Sequence, residues 1–474
     1  MQKKIYYSTS IFYTNGDPHL GHALELVQAD FAKRAAILYG NSVFLNTGTD
    51  EYGQKALALA EKQGLDFKDI IKDSRTKIKK LNLALGISYD SFISTSISSE
   101  HHKSAQKIWK TCLENDDIYF GKYSGLYCNG CEQYYLPKEL VNNFCPEHQI
   151  ELSLLETESY FFRLSKYQQQ IYDIIDQDIV RIFPKERKEE VLGFIRSGLE
   201  DFSISRPLSQ LSWGVPVPDD SKHVMYVWFD ALSNYLTVAN YAEELDSNLW
   251  PLDTHFIGKS ILRFHAIYWI GMLLSSKLEL PKQIVVHGIL KSNGQKMSKS
   301  LGNNISPFSI IDQFGRDVLR LFFIKAVSSG NDANFDLEHL KTVLNSDLAN
   351  SYGNLISRIL TLLAKLNIKS INHETLDLNT ALAKDLLNYL KNFRYELYAG
   401  ELFTKIYRLN AELDKQAPWK KLHDPKTETW LREKAREILE INQFLSPILI
   451  DTTAKVESLF NNIELQNPIL FEKQ

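Results

Sequence analysis

The chain has 474 residues, 44% of them apolar and 24% charged, and carries a net charge of −4. That length exceeds a single compact core and calls for two or three domains. The charge excludes a protein that is basic overall, so any nucleic-acid contact has to come from a local face or from shape. No apolar run is long enough to span a bilayer, and the opening MQKKIYYSTSIFY has neither the apolar core nor the cleavage site of a leader, so a cytoplasmic protein without membrane partners is expected.

The β-branched and aromatic stretch from Lys4 to Ile11 predicts a strand. A turn at Asn15-Gly16-Asp17-Pro18 leads into a helix from about Leu20 to Tyr39, with Leu24, Val27, Phe31 and Ala35 at helical spacing and Gly40 as its stop. A short strand at Ser42 to Asn46 and helices from about Gly53 to Lys62 and from Phe67 to Leu85 follow, an order that argues for a parallel sheet. From about Asp116 this rhythm breaks. Residues 116–222 are rich in Tyr, Cys and Pro, carry short strands, and read as an insertion.

The α/β rhythm resumes with a strand at His223 to Trp228, a helix over 230–241, a strand at Thr254 to Ile257, a helix over 260–275 and a strand at Gln283 to Val286. A polar loop at 291–304 and a helix over 307–327 close the region. Residues 328–336 form a turn-rich linker. Beyond it, apolar periodicity at 345–366, 378–399, 401–416 and 427–446 predicts a helix bundle. The expected fold class is α/β: a doubly wound parallel-sheet, Rossmann-like domain from 1–115 and 223–327, interrupted by 116–222 and followed by an all-α bundle over 328–474.

Two motifs carry the chemistry. His19-Leu20-Gly21-His22 opens a helix directly after the first strand. Helix-start N–H groups and the positive end of the dipole attract phosphate, Gly21 lets a nucleotide approach closely, and histidines three apart share a helical face. Lys296-Met297-Ser298-Lys299-Ser300 sits in the polar loop after the last strand. Its lysines suit a triphosphate and a pyrophosphate leaving group. Taken singly, the first motif is equally a pair of turn histidines, and the second is more often a solvated basic loop. Each nevertheless follows a strand's carboxyl end, where open α/β sheets bind ligands, and such a fold would bring them to one crevice.

Of the four cysteines, Cys112 stands alone and reads as a small core residue. Cys128-x-x-Cys131 and Cys145-x-x-His148, separated by 13 residues, have tetrahedral zinc spacing, with thiolates at about 2.3 Å from the metal. Four protein ligands close the site, so one structural zinc ion is expected.

The two motifs resemble the HIGH and KMSKS signatures of class I aminoacyl-tRNA synthetases. Their surroundings, Ser10-Ile11-Phe12-Tyr13, Thr47-Gly48-Thr49-Asp50, Tyr226-Val227-Trp228-Phe229-Asp230-Ala231 and Phe264-His265, are similar to the methionyl-tRNA synthetase family along essentially the whole chain. The resemblance implies ATP-dependent ligation of L-methionine to tRNA(Met) through methionyl-adenylate, with Mg²⁺ accompanying ATP. It implies that His19, Gly21, His22, Lys296, Ser298 and Lys299 bind ATP, and that His19, His22, Lys296 and Lys299 stabilise the transition state. Asp50 would hold the substrate ammonium. Ile11, Tyr13, Trp228, Ala231, Leu232, Tyr235, Ile261, Phe264 and His265 would line the methionine side chain, with Tyr13 and His265 turning polar atoms toward sulfur. The knuckle resembles the family's single-zinc form in a connective insertion too short for an editing domain.

In the bundle, Asn354, Arg358, Pro418 and Trp419 match anticodon-reading positions, where a planar indole can stack on an unpaired base. No appended tRNA-binding domain follows, so a monomer is expected. The chain departs from the family at Ser260, where Asp is usual, and at Tyr52, where the family often has His. The cysteine-specific relative would need a zinc-binding cysteine on the first strand, and none is there. A small-molecule nucleotidyltransferase would need neither knuckle nor bundle; a catalytically silent zinc-stabilised RNA binder would not need intact histidines and lysines, but Ser260 leaves that reading open.

Overall fold

The computed structural model describes residues 3–14, 16–128, 133–135, 140, 142–145, 150–292, 294–296, 305–372, 374–464 and 469–473. Cys131, His148, Ser298 and Lys299 lie outside them. The chain divides into two units, one made of Met1–Pro18, Ser42–Lys80 and Ser88–His287, the other of His19–Asn41, Leu81–Ile87 and Gly288–Gln474.

The first unit is built on six parallel strands: β1 (Ile5–Tyr13), β2 (Val43–Asp50), β3 (Ser91–Ser94), β4 (Arg181–Phe183), β5 (Thr254–Gly258) and β6 (Gln283–His287). Their order across the sheet is β3-β2-β1-β5-β6-β4, and every pairing is parallel. This is the expected Rossmann-like core. The order reverses between β1 and β5, and ligands of such sheets bind outside the carboxyl ends of the strands at that point. Tyr13 ends β1 and pairs in register with Asp50, the last residue of β2. One core runs through the unit and includes Tyr6, Trp109, Phe229, Trp250 and Trp269, each almost wholly buried.

Several elements differ from expectation. Segment 116–222 holds more than short strands. Ile118–Cys128 and Ser153–Phe162 form a long antiparallel pair, helices span Gln168–Asp176 and Lys185–Arg196, and β4 joins the parallel sheet beside β6. The strand expected at 223–228 is Asp220–Met225, antiparallel to Ser205–Pro207 and outside the main sheet. The apolar run continues into helix Val227–Leu232, and periodicity alone cannot separate a buried strand from a buried helix. Strand β3 and helix Ser99–Glu114, capped by Ser98, were not anticipated.

The second unit contains α1 (Leu20–Leu38), a small sheet of Leu290–Ser292, Gln295–Lys296 and Ala333–Phe335, and the C-terminal helices. The helix expected over 307–327 breaks at Gly315, whose φ is +84°. The one expected over 378–399 breaks at Phe393, φ +52°, into Ala381–Lys391 and Tyr395–Gln416. A further helix, Ile450–Asn461, follows Pro425–Leu445.

Arg320 ties these pieces together. It and Asp30 of α1 are both fully buried and pair at 2.7 Å. Its guanidinium also donates to the carbonyls of Leu85, Pro447 and Ile448, and Asp30 accepts a second bond from Arg34. A buried ion pair is tolerated only when its remaining hydrogen-bonding capacity is met in this way.

Candidate active site

The start of α1 is built by its own histidines. His19 is the N-cap, and its Nδ1 accepts the backbone N–H of Gly21 at 3.0 Å. His22 reciprocates, its Nδ1 accepting the N–H of His19 at 3.2 Å. This is a capping box in which both side chains are imidazoles. The rings stack with centres 3.9 Å apart and planes 16° from parallel. Because each Nδ1 accepts, each neutral ring carries its proton on Nε2. Helix capping thereby fixes both tautomers as Nε2–H donors at a helix N-terminus, the arrangement that suits an anion. Gly21 has a role the sequence did not suggest: a Cβ there would stand 2.8 Å from Cε1 of His19, so the glycine makes room for the capping ring itself.

Of the lysine motif, the structure describes the approach. Lys296 ends the strand Gln295–Lys296 and pairs with Lys291 across a hairpin. Ser298 and Lys299 lie outside the described residues.

Asp50 is nearly buried, and its carbonyl accepts the N–H of Thr14. The turn after it is held by a network the sequence reading missed. Glu51 is fully buried and takes a two-pronged bond from Arg75, Nε at 2.6 Å and Nη2 at 2.8 Å. Thr49 and Ser96 hydroxyls also donate to its carboxylate, its N–H donates to Thr95, and its carbonyl accepts from Trp213 Nε1. Tyr52 stands 2.8 Å from Nε2 of His102 through its hydroxyl. Burial, reinforced by Asp230 and Glu51, pushes that phenol upward, so it is neutral.

The aromatic residues assigned from the sequence come together. The indole of Trp228 lies flat on Phe264, centres 3.7 Å apart and planes 5° from parallel, and meets Tyr13 edge-on at 6.2 Å. Ala231 and Leu232 are buried on the same short helix as Trp228. Ile11 and Ile261 are half-buried. Gly48 lets β3 and Ile11 close in, since a Cβ there would meet the Ile93 carbonyl oxygen at 2.2 Å and Ile11 Cγ2 at 3.0 Å. His265 Nδ1 lies 3.0 Å from the carbonyl oxygen of Ile261, which can only accept. The ring therefore donates there, and its Nε2 accepts the Tyr235 hydroxyl at 2.8 Å. Both nitrogens of His265 are thus engaged within the protein. Ser260 is exposed on the turn Lys259–Ile261.

Arg206 is buried with its guanidinium 4.5 Å from the centre of Tyr226. It lines a small cavity with Gly53, Gln54, Tyr127 and Val227. It donates to the Ser203 hydroxyl and the Ser205 carbonyl.

Cys128 and Cys145 are fully buried in one small cluster, against which only Leu140 and Leu152 pack among the described apolar residues. Cys131 and His148, the other two residues of the expected metal site, lie outside the described residues, so the structure describes two of its four members. In the bundle, the guanidinium of Arg358 stands 5.3 Å over the ring of Trp419, which is 43% exposed, and Arg358 pairs with Asp414 at 2.5 Å. Asn354 is exposed on the same helix as Arg358, while Pro418 is buried.

Residues 5–154 and 152–360 match the family model described as tRNA synthetases class I (M). The methionine--tRNA ligase of Clostridium acetobutylicum is 37% identical over 98% of this chain and 74% of its own length. That of Brucella suis is 36% identical over 96% and 91%. Among solved structures, Mycobacterium tuberculosis methionyl-tRNA synthetase bound by methionyl-adenylate is similar with a TM-score of 0.91 at 31% identity, over 99% of this chain and 100% of that one. The apo form of that enzyme matches with a TM-score of 0.84 at 29% identity, over 100% and 99%.

Proposed function

The chain belongs to the methionyl-tRNA synthetases of class I, and from that premise we propose how its residues divide the work. The reaction is the ATP-dependent joining of methionine to tRNA through methionyl-adenylate. The methionine carboxylate attacks the α-phosphorus of ATP and forms the acyl–phosphate bond while the bond to pyrophosphate breaks. A ribose hydroxyl at the tRNA terminus then attacks the adenylate carbonyl, and AMP leaves. Neither step needs a covalent enzyme intermediate, so positioning and charge stabilisation carry the catalysis.

His19 and His22 donate from Nε2 to the phosphate oxygens as charge moves onto them. Lys296, Ser298 and Lys299 hold the triphosphate, and Gly21 keeps His19 in place. Mg²⁺ accompanies ATP and shares its charge. The observation that carries this reading is the reciprocal cap, which sets both donors before any nucleotide binds. Asp50 is the counter-charge for the methionine ammonium, supported from behind by the Glu51–Arg75 pair. Ile11, Tyr13, Trp228, Ala231, Leu232, Tyr235, Ile261, Phe264 and His265 receive the side chain, whose soft thioether suits aromatic faces and edges.

The catalytic domain takes in 1–115 and 223–327, with β4 (Arg181–Phe183) from the 116–222 segment completing its sheet; the connective domain is drawn from the rest of 116–222, and the anticodon-binding domain is 328–474. One structural zinc ion is held by Cys128, Cys131, Cys145 and His148, outside the reaction. Trp419 stacks on an anticodon base beside Arg358, with Asn354 and Pro418 completing the contact. A cytoplasmic monomer completes the reading; no helix among the described residues is long and apolar enough to cross a membrane.

ATP–pyrophosphate exchange with each of the twenty amino acids, without tRNA, tests the assignment. Exchange with methionine alone is expected. Strong exchange with cysteine or leucine would discard the pocket, and exchange with none would remove the catalytic roles.

A further inference from the structure

His255 has none of the roles given above, yet it lies within the framework that supports them. It stands on β5, paired in register with Ser8 of β1 where the strand order reverses. Both side chains are fully buried, and His255 Nδ1 lies 2.8 Å from the Ser8 hydroxyl. The imidazole meets the ring of Tyr235 edge-on, centres 4.4 Å apart, and that of His265 at 5.4 Å. Its Nε2 makes no hydrogen bond among the described residues. A buried nitrogen without a partner is costly, and an apolar side chain would fill the volume without that cost. Burial and the neighbouring His265 hold the pKa well below the usual histidine value, so the ring is neutral.

Neutrality suits a wedge. Ser8 decides which way the imidazole faces, and the imidazole decides the plane of Tyr235. The backbone of Tyr235 is held from the same strand, its carbonyl accepting the Tyr6 hydroxyl at 3.1 Å. What remains adjustable in Tyr235 is its ring, and the ring carries the hydroxyl that His265 accepts. We propose that His255 is a positioning residue for the amino-acid pocket: held by Ser8, it fixes the Tyr235 ring and thereby the Tyr235–His265 hydrogen bond beside Trp228. It touches neither methionine nor ATP. The proposal rests on the pocket assignment above.

His255→Asn keeps a polar atom near Ser8 but removes the ring from Tyr235, whereas His255→Phe keeps a ring and gives up the bond to Ser8. In methionine-dependent pyrophosphate exchange, His255→Asn is expected to raise KM for methionine about tenfold, with kcat and KM for ATP changed less than about twofold. Ser8→Ala and His255→Phe should each raise it about threefold, and Ser8→Ala added to His255→Asn should cost nothing further, as members of one path are non-additive. Tyr235→Phe separates the two readings. If it leaves KM for methionine unchanged, the pocket assignment itself fails. If it raises that KM while His255→Asn does not, or if His255→Asn raises the KM for methionine and for ATP together, only the positioning role is overturned.

Discussion

The imidazoles of His19 and His22 lie stacked at 3.9 Å, each taking a backbone N–H from the turn that the other helps to form. Helix capping uses Nδ1 of both rings, and the phosphate binding proposed above would use Nε2, so substitution can separate the two. Asparagine places its amide near the position of Nδ1, and glutamine reaches toward that of Nε2. His22→Asn should therefore keep the cap, leaving Tm within about 2 °C, and lower kcat for pyrophosphate exchange by about 10²–10³, the size of losing one transition-state donor. His22→Gln should recover part of that rate. Equal activity in the two variants would refute the assignment of the donor to Nε2.

Gly21 is the second residue of α1, where Gly→Ala ordinarily stabilises by up to about 1 kcal/mol, the full helix-interior difference. Here the new methyl meets the His19 ring at 2.8 Å. The gain in propensity should be cancelled, with no rise in Tm, and exchange activity should fall at least tenfold as the ring is displaced. A more stable, fully active variant would show that His19 can move without penalty.

Arg75 neutralises a carboxylate that has no access to water. Arg75→Met leaves the buried Glu51 carboxyl without its ionic partner, at a cost of about 3–5 kcal/mol. Calorimetry should show a marked drop in the first unfolding transition, and KM for methionine should rise because Asp50 precedes that turn. Adding Glu51→Gln should return most of the stability. A double variant no better than Arg75→Met would mean that the pair is not what holds the turn.

Elemental analysis of the purified chain is expected to give one zinc per molecule, and Cys145→Ser should lose it. The variant should unfold locally in the stretch between Cys128 and Leu152, seen as faster proteolysis there with the rest of the 116–222 segment protected, because metal binding and local folding are coupled. Absence of zinc from the unaltered protein would remove the knuckle from the reading.

Trp419→Ala removes an exposed platform without uncovering core. It should raise KM for tRNA in aminoacylation at least tenfold, in line with about 1–3 kcal/mol per stacked base. Pyrophosphate exchange, which needs no tRNA, should stay at its original rate. A fall in both assays would indicate a packing role instead.

Much of the site is local in sequence, and that part was legible. His19 to His22 form one turn, and Trp228 to Leu232 form another, so a reader of the chain sees them whole. β1 announced itself by a β-branched and aromatic run ending at a turn, and β2 by a short apolar run at Ser42 to Asn46, which the structure extends to Asp50. β4 did not: three residues, Arg181 to Phe183, enclosed by charge and proline, give no period to read, and only pairing with β6 makes them a strand. Support for the site was likewise hidden, because Glu51 finds Arg75 and Ser96, and Ser8 finds His255, at separations no motif spans. Gly21 was read for its smallness toward a nucleotide, and the structure adds a neighbour that the sequence does not show, the His19 ring. The identity of a proton-bearing nitrogen becomes legible only once the opposite nitrogen has a partner.

The guanidinium of Arg320 joins Asp30, near the start of the chain, to the carbonyls of Pro447 and Ile448, near its end. A ribosome delivers those groups in that order. The helix that opens with His19 emerges early, but the last acceptors of the cation that neutralises Asp30 arrive only after more than four hundred further residues have been made. Until Arg320 and its acceptors are in place the Asp30 carboxylate has Arg34 of its own helix as its charged partner, and α1 cannot settle into its final burial. A product of translation stalled before Ile448 would therefore carry the complete His19–His22 motif on a helix without its full anchor, and the start of α1 acquires its fixed geometry only once Pro447 and Ile448 have been made.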